Sequence, residues 1–563
     1  MLTLKTLIDK NINKLCKAKL FACFVDFKAA FDTVSRKALL FKLLKAGIGG
    51  HFLKMLRSMY ENVFFHVKLS TGITESFSSN SGVKQGCVLS PLLFNLFIRD
   101  LPDIFDSDCD PVDLHETKLT CLMFADDLVL LSKSASGLQT CLDNLNSYCN
   151  QWGLKVNMNK TKVVIFNKTG RLLKNFHFYY NEQEIEITRK YCYLGIVFNC
   201  AGTFVDAVER LTDQGRKALF KLQQKRMQNH VTTALKLFEV LIVPILSYCS
   251  EVWAPSYSKC FSSSNIFQTC DKLPIEKLHT KFCRYLLGVH RKSSNAAVRA
   301  ELGHRPLLLD LLVRSAKWLT LCAPNNNLVK TAYIDLASNT SWPQNVKSLN
   351  WAGAIKHIWT QCSLDGVWEN QGTKYKHKTI RLLKTAMYQM YDNCWWSQIS
   401  NDNSKLRTYK TFKTAPSLEN YLLEITDVQK RKEFTKLRIS SHKLQIELGR
   451  YTKPRKTPVE DRICKLCNNQ EVETEEHFLM SCTLYKKARQ TLFETLDSFT
   501  SFQSLTEPDK FTFIMSCLDG DIEVIKLVIN FVNECMETRL SSLNQSESTS
   551  PSLPPTVSLP IQR

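Results

Sequence analysis

Two neighbouring carboxylates stand in "MFADDLVLLS", residues 123–132, where Asp126 and Asp127 interrupt two short apolar runs. "LTCLM" and "LVLLS" have strand composition and the four residues between them suit a tight connection, so the spacing predicts a hairpin with the acids at its bend. By itself an Asp-Asp turn is most often a solvated loop. A third acid changes the chemistry: the apolar run Phe21–Val25 ends in Asp26, where a strand hands over to something helix-like. Taken alone, Asp26 reads as a helix N-terminal acid. Placed on adjacent strands of one sheet, however, Asp26 and Asp126 would supply the oxygen ligands that hard divalent cations require. Two Mg²⁺ ions about 3.5–4 Å apart can activate a hydroxyl and neutralise a leaving pyrophosphate, the two-metal scheme of nucleotidyl transfer. In that arrangement Asp127 is a weaker or outer contributor.

Those acids need elements to hold them. In "SGVKQGCVLSPLLFNLFIRDL" the Ser90-Pro91 pair predicts a helix from there toward Asp100, stopped by Leu101-Pro102. The loop ahead of it carries Gly82, Gln85 and Gly86; glycine lets backbone approach a ligand, and Gln offers a donor and an acceptor to a base or sugar edge. Downstream, Leu138, Leu142, Leu145, Cys149 and Trp152 share one helical face that Gly153 terminates, and a strand follows. Lys160, beside Thr161, is placed to meet a triphosphate as general acid or counter-charge, although a lysine before a strand is more often only solvated.

Together, "FVDFKAAFD", "GVKQGCVLSPLLFNLFI", "FADD", "GLKVNMNKTK" and "YCYLG" resemble, in order and spacing, the palm of reverse transcriptases of non-LTR (LINE-type) retrotransposons. The resemblance covers roughly residues 1–200. It implies an α+β right-hand polymerase palm, an antiparallel sheet with helices on one face, followed by a helical thumb, a helical connector and a small zinc-binding module. It further implies Asp26 and Asp126 as Mg²⁺ ligands, Asp127 as the second acid of the pair, Gln85 and Gly86 near template and incoming nucleotide, and Lys160 as the lysine of the family's fourth motif. Tyr193, Leu194 and Gly195 match the hairpin that grips the primer end, and Phe31 the ring set against the nucleotide sugar. A ring at Phe31 would clash with a 2′-hydroxyl and so favours dNTPs, where an RNA-synthesising palm would want a polar group; a plain core aromatic is the competing reading. The partners implied are an RNA template, a DNA primer or target DNA, and dNTPs. Only 25 residues precede Asp26, so the expectation is an N-terminally truncated element copy or a partial gene model, with the fingers missing almost entirely and the endonuclease absent. The alternative function is that of an inactive remnant that binds RNA or DNA without catalysis.

The rest of the chain divides as 201–330 (thumb-like), 331–455 (basic, mainly helical connector), 456–495 (zinc module), 496–540 (helical) and a Ser/Pro-rich disordered tail over 541–563. In the thumb-like part Val205, Val208, Leu211, Leu219 and Leu222 turn inward, while Arg216, Lys217, Lys221, Lys225 and Arg226 form a face suited to a phosphate backbone. In "CKLCNNQEVETEEHFLMSC", Cys464, Cys467, His477 and Cys482 have the spacing C-x2-C-x9-H-x4-C, three thiolates and an imidazole that make a closed structural Zn²⁺ set. Arg450, Lys453, Arg455 and Lys456 just before it suggest a nucleic-acid grip; a fold staple is the plainer reading. The 74 Lys and Arg against 53 Asp and Glu, net +21, favour a polyanionic partner. A membrane is disfavoured, since "LFEVLIVPILSYC" holds a Glu and a Pro and falls short of the ~20 residues of a spanning helix. Scattered cysteines and a start without a secretory pattern point to a reducing interior, nucleus or cytoplasm, rather than secretion.

Overall fold

A strand that is apolar along its whole length has no face to give to solvent. Leu20–Asp26 (β1) obeys this: in the computed structural model, which describes residues 1–12, 18–225, 227–262, 269–322, 327–338, 350–369, 376–401, 405–517 and 521–548, Leu20 to Val25 are all buried. β1 lies inside a four-stranded antiparallel sheet with Cys121–Phe124 (β2), Asp127–Ser132 (β3) and Lys162–Phe166 (β4), in the order β4-β1-β3-β2. Side chains alternate across it. Phe21, Cys23 and Val25 face one core with Leu39 and Leu43 of Arg36–Lys45 (α1), Leu56 of Gly50–Tyr60 (α2), Phe94 and Phe97 of Ser90–Phe97 (α3), and the Leu138, Leu142, Leu145 and Cys149 stripe of Ala135–Trp152 (α4). Gly153, at φ +74°, ends α4 as its composition predicts.

Leu20, Ala22 and Phe24 face a second core, shared with Leu4, Leu7 and Ile8 of the N-terminal helix Leu2–Ile12 and with the hairpin Lys190–Tyr193 (β5) and Ile196–Asn199 (β6). The sheet is therefore covered on both faces, a correction to the one-face arrangement expected from sequence, and the unbroken burial of β1 is the reason. The second core continues through Val205–Gln223 (α5), Pro274–Leu287 (α6), Leu307–Cys322 (α7), Val428–Arg438 (α8) and Ile522–Ser548 (α9), so the boundaries drawn near 200, 330 and 455 do not divide the chain into separate cores.

Other expectations are corrected in detail. α3 ends at Phe97, and Leu101-Pro102 opens a separate 3₁₀ turn, because Asp100 instead anchors the buried Lys42 ammonium at 2.7 Å and the Tyr148 hydroxyl at 2.6 Å. Ser90 makes no side-chain cap; its hydroxyl donates to the Lys84 carbonyl. On α5, Val205 is exposed while Val208, Leu211, Leu219 and Leu222 are buried, and Gly215 sits where a Cβ would come within 2.7 Å of Leu246. Arg216, Lys217, Lys221 and Lys225 are exposed as expected; Arg226 lies outside the described residues. α9 runs on to Ser548, so the first residues of the expected tail are helical, and 549–563 lie outside the described residues. Among the described residues no single helix is long and apolar enough to cross a membrane; a pair bent by 61°, Val231–Leu246 with Ser250–Lys259, passes by composition, yet its Leu235, Phe238, Ile242, Leu246 and Trp253 are buried in the second core.

Candidate active site

The register of the central strands brings the acids together. β1 and β3 pair with Asp26 opposite Asp127, and facing residues of such a ladder have Cα atoms about 4.5–5.5 Å apart with side chains on one face. β2 and β3 meet through the two-residue turn Ala125-Asp126, Phe124 pairing with Asp127 and Ala125 adopting φ +52°. Asp126 thus stands at the bend beside the facing pair. The acids sense one another: partial burial first, then the charges of Asp126 and Asp26, push the Asp127 carboxyl above its usual range. All the donors here are carboxylate oxygens and their negative charge is in excess, so the set fits hard divalent cations.

Asp26 is held by the segment ahead of β4. Asn157 donates from its side-chain amide to Asp26 Oδ2 at 2.9 Å and from its backbone to the Asp26 carbonyl at 2.7 Å, while the Asp26 amide donates to Thr161 Oγ1 at 3.2 Å. Lys160 Nζ lies 3.6 Å from the same Oδ2 and is 68 % exposed, so it enters the site from the solvent side. Sequence reasoning missed Asn157. The available signal was an amide side chain inside "GLKVNMNKTK", the motif that leads into the strand beside β1.

Phe31 is half-buried and stacks on Phe94 of α3, centroids 4.8 Å apart at 25°, which fixes its plane. Gln85 is exposed, and its amide donates to both oxygens of Asp32 at 2.9 and 3.1 Å. Gly82, at φ +81°, lies so close to Asp32 that a Cβ would meet the Asp32 carbonyl at 2.8 Å; Gly86, at φ +80°, has open space around it. Arg36 ties this loop to the helices, donating to the carbonyls of Gly82, Ser81 and Tyr60 at 3.0, 3.0 and 3.1 Å. Neither Asp32 nor Arg36 was singled out from sequence.

The β5–β6 hairpin packs beneath the sheet. Tyr191 stacks on Phe24 at 4.5 Å, and Tyr193 is only 4 % exposed, its ring 5.6 Å from that of Phe24. Tyr193, expected with Leu194 and Gly195 at the primer end, is packed in the core, because the alternation of β5 turns it inward. Leu194 and Gly195 form the turn, with φ of +48° and +79°, and Tyr248 donates its hydroxyl to the Leu194 carbonyl at 3.0 Å.

Residues 2–198, the span that carries every one of these groups except Tyr248, match the family described as "Reverse transcriptase (RNA-dependent DNA polymerase)". That match covers 197 of the chain's 563 residues. Relatives that the chain resembles are polymerases of mobile elements. The RNA-directed DNA polymerase from mobile element jockey of Drosophila funebris is 25% identical over 241 residues, 41% of this chain and 26% of that protein. The probable RNA-directed DNA polymerase from transposon BS of Drosophila melanogaster is 34% identical over 149 residues, 25% of this chain and 16% of that one. The chain thus spans about a quarter or less of these relatives' length. A telomerase from Candida albicans, solved with a TWJ fragment of telomeric RNA, shares 14% identity over 68% of this chain and 54% of its own at a TM-score of 0.30, a likeness too distant to argue from.

Beyond the reverse transcriptase segment, Cys464, Cys467, His477 and Cys482 converge with their ligand atoms all within 4.8 Å of one another. His477 turns Nε2 to the cluster, 3.4 Å from Cys467 Sγ, and Nδ1 to Glu471 at 2.7 Å. A carboxylate behind a ligating histidine fixes its tautomer and orientation; Glu471 was not foreseen. The hydrogen bond from Cys482, foremost, draws the Cys464 thiol well below its usual range, toward the thiolate a metal requires. The donor set fits Zn²⁺. Its surroundings do not form a detached module: Glu473 pairs with Arg539 of α9 at 2.8 Å, Glu475 with His442 at 2.8 Å and Arg407 at 2.5 Å. Lys453, Arg455 and Lys456 are exposed, whereas Arg450 pairs with Glu447 at 3.1 Å.

Proposed function

We propose that the chain carries RNA-directed DNA synthesis, adding dNTPs to a primer 3′-hydroxyl on an RNA template, with Asp26 and Asp126 holding two Mg²⁺ ions and Asp127 completing the acidic set. The observation that carries this is the Asp26–Asp127 register with Asp126 at the adjoining turn. Bound there, the ions would lower the pKa of the attacking hydroxyl and neutralise the leaving pyrophosphate. The chain's own residues do the positioning: Asn157 holds Asp26 Oδ2, Lys160 offers a positive charge on the open side, and Phe31, locked by Phe94, presents a ring where a 2′-hydroxyl would have to fit. Gln85 and Gly86 form the template-side loop, and the Leu194-Gly195 turn is the exposed end of the hairpin assigned to the primer. Cys464, Cys467, His477 and Cys482 hold a structural Zn²⁺, and the exposed lysines and arginines of α5 and of 453–456 serve the phosphate backbone.

The test is primer extension on RNA with dNTPs and Mg²⁺, by this chain and by full-length jockey polymerase carrying its residues 2–198. Product lost in Asp126→Asn at unchanged template binding supports the assignment. A graft that extends nothing, or extension that survives Asp126→Asn, overturns it.

A further inference from the structure

A second set of soft ligands is built into the helical body, away from the acids and from the Cys464 cluster. His279 and Cys283 stand one turn apart on the same face of α6, and His304 reaches them from the connection ahead of α7. Their ligand atoms lie within 4.8 Å of one another, with His279 Nε2 2.8 Å from His304 Nδ1. His279 and Cys283 are fully buried and His304 is partly exposed. Beside them two buried polar atoms have no hydrogen-bond partner: His279 Nδ1 and Glu276 Oε2, which face each other at 3.6 Å. Leaving such atoms unpaired in a buried site destabilises the fold. Glu276 cannot simply turn away, since its other oxygen accepts the Leu308 amide at 2.9 Å in the first turn of α7. Phe238, stacked on His279 at 5.5 Å and 20°, keeps the imidazole in plane.

We propose that His279, Cys283 and His304 form a binding site for a zinc-like transition-metal ion, with Glu276 as the carboxylate that orients His279. Two imidazoles and a thiolate are borderline-to-soft donors of the kind Zn²⁺ takes. A metal on His279 Nε2 forces the ring proton onto Nδ1, which then donates toward Glu276 Oε2, so one ion gives both orphaned atoms a partner. Cys283 releases its thiol proton to solvent, and thiolate plus Glu276 carboxylate balance the dication. Two ligand atoms at Zn–N distances of ~2.0–2.1 Å in a tetrahedral set are roughly 3.3 Å apart, so the rings open by about half an ångström from their present hydrogen bond. The exposed side of His304 is the entry path, and a water takes the fourth position. The ion would pin α6 to the start of α7.

Metal content of the purified full chain, counted by mass spectrometry after dialysis against a weak chelator, tests this independently of the Cys464 cluster. Two equivalents of zinc are expected in the parent, one in His304→Gln and one in Cys467→Ser. A single equivalent in the parent that is lost in His304→Gln and kept in Cys467→Ser still supports this site and refutes the other. A single equivalent kept in His304→Gln and lost in Cys467→Ser overturns it, as does a parent holding none. If His304→Gln fails to fold by circular dichroism, Co²⁺ titration of the parent decides: a second class of cobalt, with thiolate charge-transfer absorbance about one third of the three-thiolate class, supports the site, and its absence refutes it.

Discussion

Asn157→Ala isolates the contribution of a side chain that touches no substrate and positions one that does. The substitution removes the 2.9 Å hydrogen bond to Asp26 Oδ2 and leaves the backbone bond from Asn157 to the Asp26 carbonyl in place. A hydrogen bond to a charged acceptor contributes about 1.5–3 kcal/mol. Asp26 is 25 % exposed, so water takes up part of the loss, and the lower end, ~1.5–2 kcal/mol, is the figure to expect. At 1.4 kcal/mol per factor of ten this is roughly a 10- to 30-fold weakening, read as a rise in the Mg²⁺ concentration that half-saturates primer extension. Lys160 Nζ, 3.6 Å from the same oxygen, is then left to draw the carboxylate toward solvent. Asn157→Ala with Lys160→Ala should accordingly be non-additive, as contacts sharing an atom are. A second readout needs no turnover: the thermal shift produced by Mg²⁺ should shrink in Asn157→Ala, over and above any fall in the cation-free melting temperature. Half-saturating Mg²⁺ within two-fold of the parent in both assays would refute the positioning role.

Three further outcomes are expected. Glu471→Ala, which removes the carboxylate behind His477, should weaken zinc at the Cys464 cluster about 10- to 100-fold in competition with a chromogenic chelator. Glu301 is buried between Arg438 at 3.0 Å and the hydroxyls of Tyr409 and Tyr421 at 2.9 and 2.7 Å. Burial would raise its pKa, but Arg438 and then Lys413 more than offset this and hold it below the usual glutamate range. Its contribution is therefore present above the unfolded pKa of about 4.3 and lost as pH falls below that value. The urea midpoint should drop across that acid window, and Glu301→Gln should cost about 1–3 kcal/mol at neutral pH, because the buried Arg438 loses one carboxylate and keeps Glu419 at 2.7 Å. Gly195→Ala puts a Cβ at φ +79° and 3.0 Å from the Tyr248 ring; a loss of about 1–2 kcal/mol is expected by thermal denaturation.

What could be read from the amino-acid sequence was local. The Asp126 bend is defined by apolar runs on either side of it, the end of α4 by Gly153, and the Cys464 cluster by ligands that all fall within nineteen residues. Each depends on a periodicity or a spacing the chain displays over a short window, where propensity and turn chemistry act directly. Tertiary structure decided what those windows meet. Asn157 reaches Asp26 across 131 positions, Arg36 finds the Gly82 carbonyl across 46, and His304 closes on α6 from beyond a further helix. The motif holding Tyr193 is legible, but that its ring lies inward depends on the pairing register of β5, which its four residues do not specify. The unbroken apolar run of β1 announced burial, but which elements cover its two faces depended on long-range packing, and that packing is set by the shape of the whole core rather than by any one segment.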